Sequence, residues 1–113
     1  MITIYHNPRC SKSREAIKFL DEKKVPYKIV EYLKQTPDKN TLKTLLNKLH
    51  CKPIDVIRKN EELFKTHFKN KNFTDEEWID IIVQHPILLE RPIVEKNYKA
   101  LIARPTEKIV ELL

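Results

Sequence analysis

The 113-residue sequence contains no glycine. Glycine ordinarily fills the left-handed backbone positions of turns and helix C-termini, so other residues must take them. Asn and Asp tolerate that conformation best, which singles out Asn70, Asn72 and Asn97 as turn formers. Cysteine is scarce too. Cys10 and Cys51 are the only two, too few for a disulfide framework. Neither belongs to a C-x-x-C pair, and with four scattered histidines they offer no zinc-ligand spacing, so no metal is expected. No apolar run approaches the roughly 18 to 20 residues needed to cross a bilayer. The start, Met1-Ile2-Thr3-Ile4-Tyr5, lacks the basic residues and apolar run of a secretory signal. Together these absences predict a cytoplasmic protein that holds no bound cofactor and does not engage a membrane.

What is present fits one folded domain over residues 1–113: 41% of residues are hydrophobic and 34% charged. Lys and Arg number 22 against 16 Asp and Glu, a formal net charge of +6. Such a surface concentrates anions, whether nucleic acid, phosphate or another oxyanion. The basic residues are dispersed, with Lys23-Lys24, Lys69 and Lys71 reading as solvated helix-face charges. No nucleic-acid-binding motif accompanies them, and no nucleic-acid partner is expected.

Hydrophobic periodicity orders the chain. Ile2 to Tyr5 alternates as a strand, Ser11 to Lys23 reads as a helix with Ala16, Ile17, Phe19 and Leu20 inward, and Tyr27 to Val30 is a second strand. This β-α-β order implies a parallel pair with a right-handed crossover. Leu42, Leu45, Leu46 and Leu49 fall at helical spacing, with Thr36-Pro37 as cap and first-turn pair. Pro53 opens a short helix through Ile54 and Ile57. Thr74-Asp75-Glu76-Glu77 is a capping box that places Trp78, Ile81 and Ile82 inward. Pro92 to Glu95 and Lys99 to Ala103 have hairpin spacing, joined through Lys96-Asn97. A last helix after Pro105 points Ile109, Leu112 and Leu113 inward. The predicted class is α/β: a thioredoxin-like core of β-α-β and β-β-α halves, with a helical insertion over about 36–84 between them.

Cys10 stands where the first strand gives way to the first helix. Free backbone N–H groups and the positive end of the helix dipole point at a sulfur there. Arg9, Lys12 and Arg14 add positive charge, which favours thiolate over thiol. Ser11 and Ser13 can hydrogen-bond a thiolate or an oxyanion, and His6 can act as a charged neighbour or orient the loop. The polar, cationic flank Asn-Pro-Arg-Cys-Ser-Lys-Ser-Arg suits an exposed loop, so Cys10 reads as a reactive thiol. Cys51 has no such support and reads as a packing or surface residue. The tyrosine-phosphatase loop needs Arg six residues after its cysteine. That position is Ala16, which excludes it.

Tyr5-His6-Asn7-Pro8-Arg9-Cys10-Ser11-Lys12-Ser13-Arg14 resembles the active-site loop of the glutaredoxin-coupled arsenate reductases. The likeness continues through Ile57-Arg58-Lys59-Asn60, Gln84-His85-Pro86-Ile87-Leu88, Arg91-Pro92-Ile93-Val94 and Arg104-Pro105, in order and at matching spacing over essentially the whole chain. Members with the best-known loops carry Gly after the cysteine, where this chain has Ser11. The resemblance implies a Cys10 thiolate that attacks arsenate and forms a covalent adduct. Glutathione then attacks, and glutaredoxin resolves the mixed disulfide. It further implies that Arg58, Arg91 and Arg104 hold the oxyanion, for which the planar guanidinium fork is suited. His6 matches a histidine that assists the thiolate, and Arg91-Pro92 matches a cis-proline site. One attacking cysteine suffices where the second thiol comes from outside.

Two other readings of the same pattern stand beside this one. Spx-like regulators, which bind RNA polymerase, share the fold, a His-Pro-x-Leu-Leu segment and an Arg-Pro-Ile strand. Their usual C-x-x-C sensor is missing here, since position 13 is Ser. The other is a thiol oxidoreductase of the same fold acting on a different oxyanion or on glutathione mixed disulfides.

Overall fold

A computed structural model describes residues 1–113. The chain folds into two compact units, one formed by Met1–Gln35 with Arg91–Leu113, the other by Thr36–Glu90.

The first unit is built on a four-stranded sheet. β1 (Ile2–His6) leads through the loop to α1 (Ser11–Glu22) and then to β2 (Tyr27–Glu31), and the hairpin β3 (Ile93–Lys96) and β4 (Lys99–Ile102) completes it. The strand order is β2-β1-β3-β4. β1 and β2 are parallel, while β1–β3 and β3–β4 are antiparallel. This is the thioredoxin-like α/β arrangement expected from the order of elements. Ile2 and Ile4 of β1, Ala16 and Leu20 of α1, and Val94 of β3 pack with Ala103, Ile109 and Leu112 into one buried core. Because β1 is central, its register fixes the sheet: Ile4 pairs with Ile29 on one side and Val94 on the other.

The last element differs from the expected α-helix. Thr106–Leu112 is a 3-10 helix, whose three-residue repeat stacks Ile109 above Leu112. Both are buried, and Leu113, one step further round, is 49% exposed instead of inward.

The second unit is helical: α2 (Lys39–Leu49), α3 (Glu62–His67) and α4 (Asp75–Gln84), with 3-10 turns at Pro53–Val56 and Pro86–Leu88. Asp38, not Thr36-Pro37, caps α2. Its carboxylate accepts the Thr41 N–H at 2.8 Å, and a carboxylate also complements the positive helix end. The Thr74–Glu77 capping box forms as read, with Thr74 Oγ1 accepting the Glu77 N–H at 3.1 Å and Glu77 Oε1 accepting the Thr74 N–H at 2.9 Å. Trp78, Ile79 and Ile82 are the buried residues of α4, so Ile79 takes the place expected for Ile81. Trp78 packs against Phe73 with ring centroids 4.9 Å apart and against Phe64 at 6.2 Å.

The missing glycines are replaced in a consistent way. Positive φ falls on Lys24, His50, Asn70 and Asn97; Asn72 does not take part, because Asn70 already supplies the left-handed residue of that turn. Lys24 and His50 close α1 and α2. The Lys24 N–H bonds Asp21 O and the Val25 N–H bonds Leu20 O; the His50 N–H bonds Asn47 O and the Cys51 N–H bonds Leu46 O. These paired bonds form the Schellman pattern, built here on residues with a Cβ.

Candidate active site

β1 ends at His6, and Asn7–Arg9 turn the chain so that Cys10 becomes the N-cap of α1. Two bonds brace this loop. Cys10 N–H bonds Asn7 O at 3.0 Å, and Asn7 Oδ1 accepts the Arg9 N–H at 3.0 Å. Arg14, one turn into α1, donates through Nη1 to Pro8 O at 2.9 Å. The flanking Pro8, Arg9, Ser11 and Lys12 are exposed, as the polar sequence suggests. Cys10 itself is not on an open loop: it is only 8% exposed, because the N-cap position turns its side chain inward.

Burial alone pushes the Cys10 thiol up. The Ser13 N–H, the charge and hydrogen bond of Arg91, and the Lys12 N–H outweigh it, leaving the thiol below its ordinary value. No cap hydrogen bond closes on the sulfur at full bonding distance, so the two N–H groups act on it as longer, oriented dipoles. Arg104 Nη2 lies 3.6 Å from Cys10 Sγ, and its Nε donates to Arg91 O at 2.8 Å. That bond joins the two arginine segments into one bracket, the Arg91-Pro92 and Arg104-Pro105 peptides both being cis. Arg91 Nε is buried and has no hydrogen-bond partner. A buried N–H without an acceptor costs about 1–3 kcal/mol, so an anion at this point is favoured.

His6 is buried. Its Nδ1 lies 2.7 Å from Ser13 Oγ, which also accepts the Asn7 N–H at 3.0 Å. Burial lowers the His6 pKa, Glu31 raises it, Arg14 lowers it, and the net shift is downward. The imidazole is therefore neutral near pH 7 and does not supply positive charge to the thiolate. Ser13 is fully buried and Ser11 exposed.

Arg58 belongs to the helical unit, where Nη1 pairs with Glu61 Oε2 at 2.9 Å and Nε approaches Glu90 Oε1 at 4.0 Å. Cys51 lies in that unit as well. Its Sγ sits 3.4 Å from Leu49 O, and burial followed by Asp55 pushes its thiol up, opposite to Cys10. No group of three or more His, Cys, Asp or Glu side chains could hold a metal ion, and no helix is long and apolar enough to cross a membrane.

Two participants escaped the sequence reading, the Asn7 N–H that serves Ser13 and the Glu31 that acts on His6, while Arg14, expected to lend its charge to Cys10, instead braces Pro8 O. Only Glu31 left a signal: a parallel β1–β2 pair in register brings Glu31 beside His6.

The chain is similar to known proteins over nearly its whole length. Residues 5–112 match the ArsC family. The arsenate reductase of Neisseria meningitidis serogroup A is 41% identical over 99% of this chain and 97% of its own. That of Haemophilus influenzae is 37% identical over 99% and 98%. The solved structure of an arsenate reductase from Vibrio cholerae superposes with a TM-score of 0.92 at 35% identity, covering 99% of this chain and 97% of that one. By sequence over nearly its whole length, and by a fold that superposes end to end, the chain belongs to the ArsC family.

Proposed function

We propose that this protein is an arsenate reductase in which Cys10 is the nucleophile. The Cys10 thiolate attacks the arsenic of arsenate, an S–As bond forms, and one oxygen leaves as water. A small thiol such as glutathione then attacks the Cys10 sulfur; an S–S bond forms and the S–As bond breaks, leaving its electron pair on arsenic. Arsenic(V) leaves as arsenite, arsenic(III), and the two electrons come from two thiols that end as a Cys10–glutathione disulfide. Glutaredoxin reduces that disulfide and returns the thiol. No resident cofactor is required, because the reducing equivalents arrive from outside.

The chain's own residues divide this work. The Ser13 and Lys12 N–H groups and Arg91 favour the Cys10 thiolate and lower its pKa. Arg91 and Arg104 receive the oxyanion, with Ser11 at the exposed rim of the helix start. His6 shapes the loop from beneath as a neutral group. The observation that carries this reading is a depressed thiol beside two guanidinium groups, one of which has a buried Nε–H with no acceptor.

The test is arsenate-dependent NADPH oxidation with glutathione, glutaredoxin and glutathione reductase. Turnover is expected in the natural protein and in Cys51→Ser, and none in Cys10→Ser with its circular dichroism spectrum unchanged. Retained turnover in Cys10→Ser would remove the nucleophile assignment. Replacing glutathione by bacillithiol, or glutaredoxin by thioredoxin, identifies the donor. The working compartment assigned to the protein is the cytoplasm, where such thiols are held reduced.

A further inference from the structure

We infer that Ser13 is a positioning residue whose hydroxyl holds His6 in the neutral tautomer that carries its proton on Nε2. A serine hydroxyl has one proton to donate and two lone pairs to accept with. One lone pair of Ser13 Oγ takes the Asn7 N–H at 3.0 Å, and His6 Nδ1 lies 2.7 Å away. Ser13 is 0% exposed, so its proton cannot be given to solvent, and Nδ1 is the bonded acceptor in place. Giving the proton to Nδ1 satisfies all three groups at once. If Nδ1–H donated instead, Ser13 Oγ would accept twice and its own proton would need another partner in a dry site, leaving a buried donor unsatisfied.

The charge beside the ring points the same way. Glu31 is in register with His6 on β2, lines the same cleft of about 210 Å³, beside Asn7, Pro8 and Arg9, and acts electrostatically on the imidazole. A carboxylate stabilises an N–H on the side facing it and repels a bare lone pair. With Nδ1 taken by Ser13, the neighbouring carboxylate favours the N–H on Nε2 as well.

The consequence is a division of labour within one residue. The Ser13 backbone N–H acts on the Cys10 sulfur, while its side chain sets which atom His6 presents to the cleft. His6 then keeps its single N–H on Nε2, away from Ser13 and on the cleft it shares with Glu31. It is not the base that removes the Cys10 proton. This conclusion rests on the proposed reductase reading only where turnover is concerned; the tautomer itself does not.

The experiment is a long-range ¹H–¹⁵N correlation of the imidazole groups in ¹⁵N-labelled protein near neutral pH, with His6 signals assigned by their loss in His6→Gln. The expected result is an unprotonated, pyridine-type Nδ1 and a protonated, pyrrole-type Nε2. Ser13→Ala should shift His6 towards a tautomer mixture, and Ser13→Thr, which keeps the hydroxyl, should restore the original form. A pyrrole-type Nδ1 in the natural protein, or an unchanged tautomer in Ser13→Ala, would overturn the inference. In the coupled reductase measurement, Ser13→Ala should lower kcat by about five- to tenfold, the effect of one lost hydrogen bond. A natural protein without arsenate turnover would refute the reductase reading and leave the tautomer result standing.

Discussion

Removing the Arg104 charge should make Cys10 a weaker acid. Arg104 Nη2 sits 3.6 Å from the sulfur. At that separation two unit charges interact by about 1 kcal/mol in bulk water and by about 4 to 5 kcal/mol at an effective dielectric near 20. Arg104 is exposed, so solvent screening holds the interaction near the lower bound, about 1 to 2 kcal/mol, or about one pKa unit. The sign follows from the form that is stabilised. A nearby cation favours thiolate, so beyond the lowering by Arg91 and the Ser13 and Lys12 N–H groups, the Arg104 charge at 3.6 Å adds its own support, and Arg104→Ala moves the thiol upward. The measurement is the pH dependence of iodoacetamide alkylation, made in a Cys51→Ser background so that only Cys10 reports. The midpoint should rise by about one unit in Arg104→Ala and by less in Arg104→Lys, which keeps the charge without the fork. Near 1 M salt, where the Debye length is about 3 Å, most of the difference should disappear. An Arg104→Ala midpoint identical to that of the natural protein would refute the claim that this guanidinium acts on the sulfur.

Two further outcomes follow from the same structure. Arg91→Ala should raise the arsenate concentration needed for half-maximal turnover by about ten- to hundredfold, since a lost charged hydrogen bond costs about 1.5 to 3 kcal/mol; unchanged catalytic efficiency would mean the oxyanion sits elsewhere. Lys24→Gly and His50→Gly should each stabilise the fold by about 0.5 to 1 kcal/mol, because a left-handed residue with a Cβ is replaced by one without. Urea unfolding midpoints check this, and a lower midpoint in both variants would contradict the role assigned to these two helix ends.

The local elements were legible in the sequence because their causes are local. Alternation in Ile2–Tyr5, the three- and four-residue spacing of Leu42, Leu45 and Leu46, and the reciprocal chemistry of Thr74 and Glu77 each need only a few neighbouring residues. Errors arose where two local solutions compete. Asp38 displaced Thr36 as a cap because a carboxylate is the better acceptor at a helix N-terminus. The 3-10 winding of Thr106–Leu112 changed which of Leu112 and Leu113 faces inward. Glycine's absence identified Asn70 and Asn97 correctly, but not Lys24 and His50, whose left-handed conformations are imposed by helix ends that tertiary packing holds in place.

The sequence by itself determined the α/β order and the placement of Cys10 at the junction of strand and helix. Those features depend on residues close together along the chain. Of the flanking cations it pointed to, Arg14 turns to Pro8 O and Lys12 to Glu15, and Lys12 acts on the sulfur through its backbone N–H. The tertiary structure alone decided the rest of the site's electrostatics. It brought Arg104 to a sulfur 94 positions earlier, tied it to the Arg91 carbonyl, and left the buried Arg91 Nε–H without an acceptor. It also set Glu31 beside a neutral His6 through the register of two parallel strands. Charges act through distance in space, and only the folded sheet brings such remote groups within a few ångströms of one another.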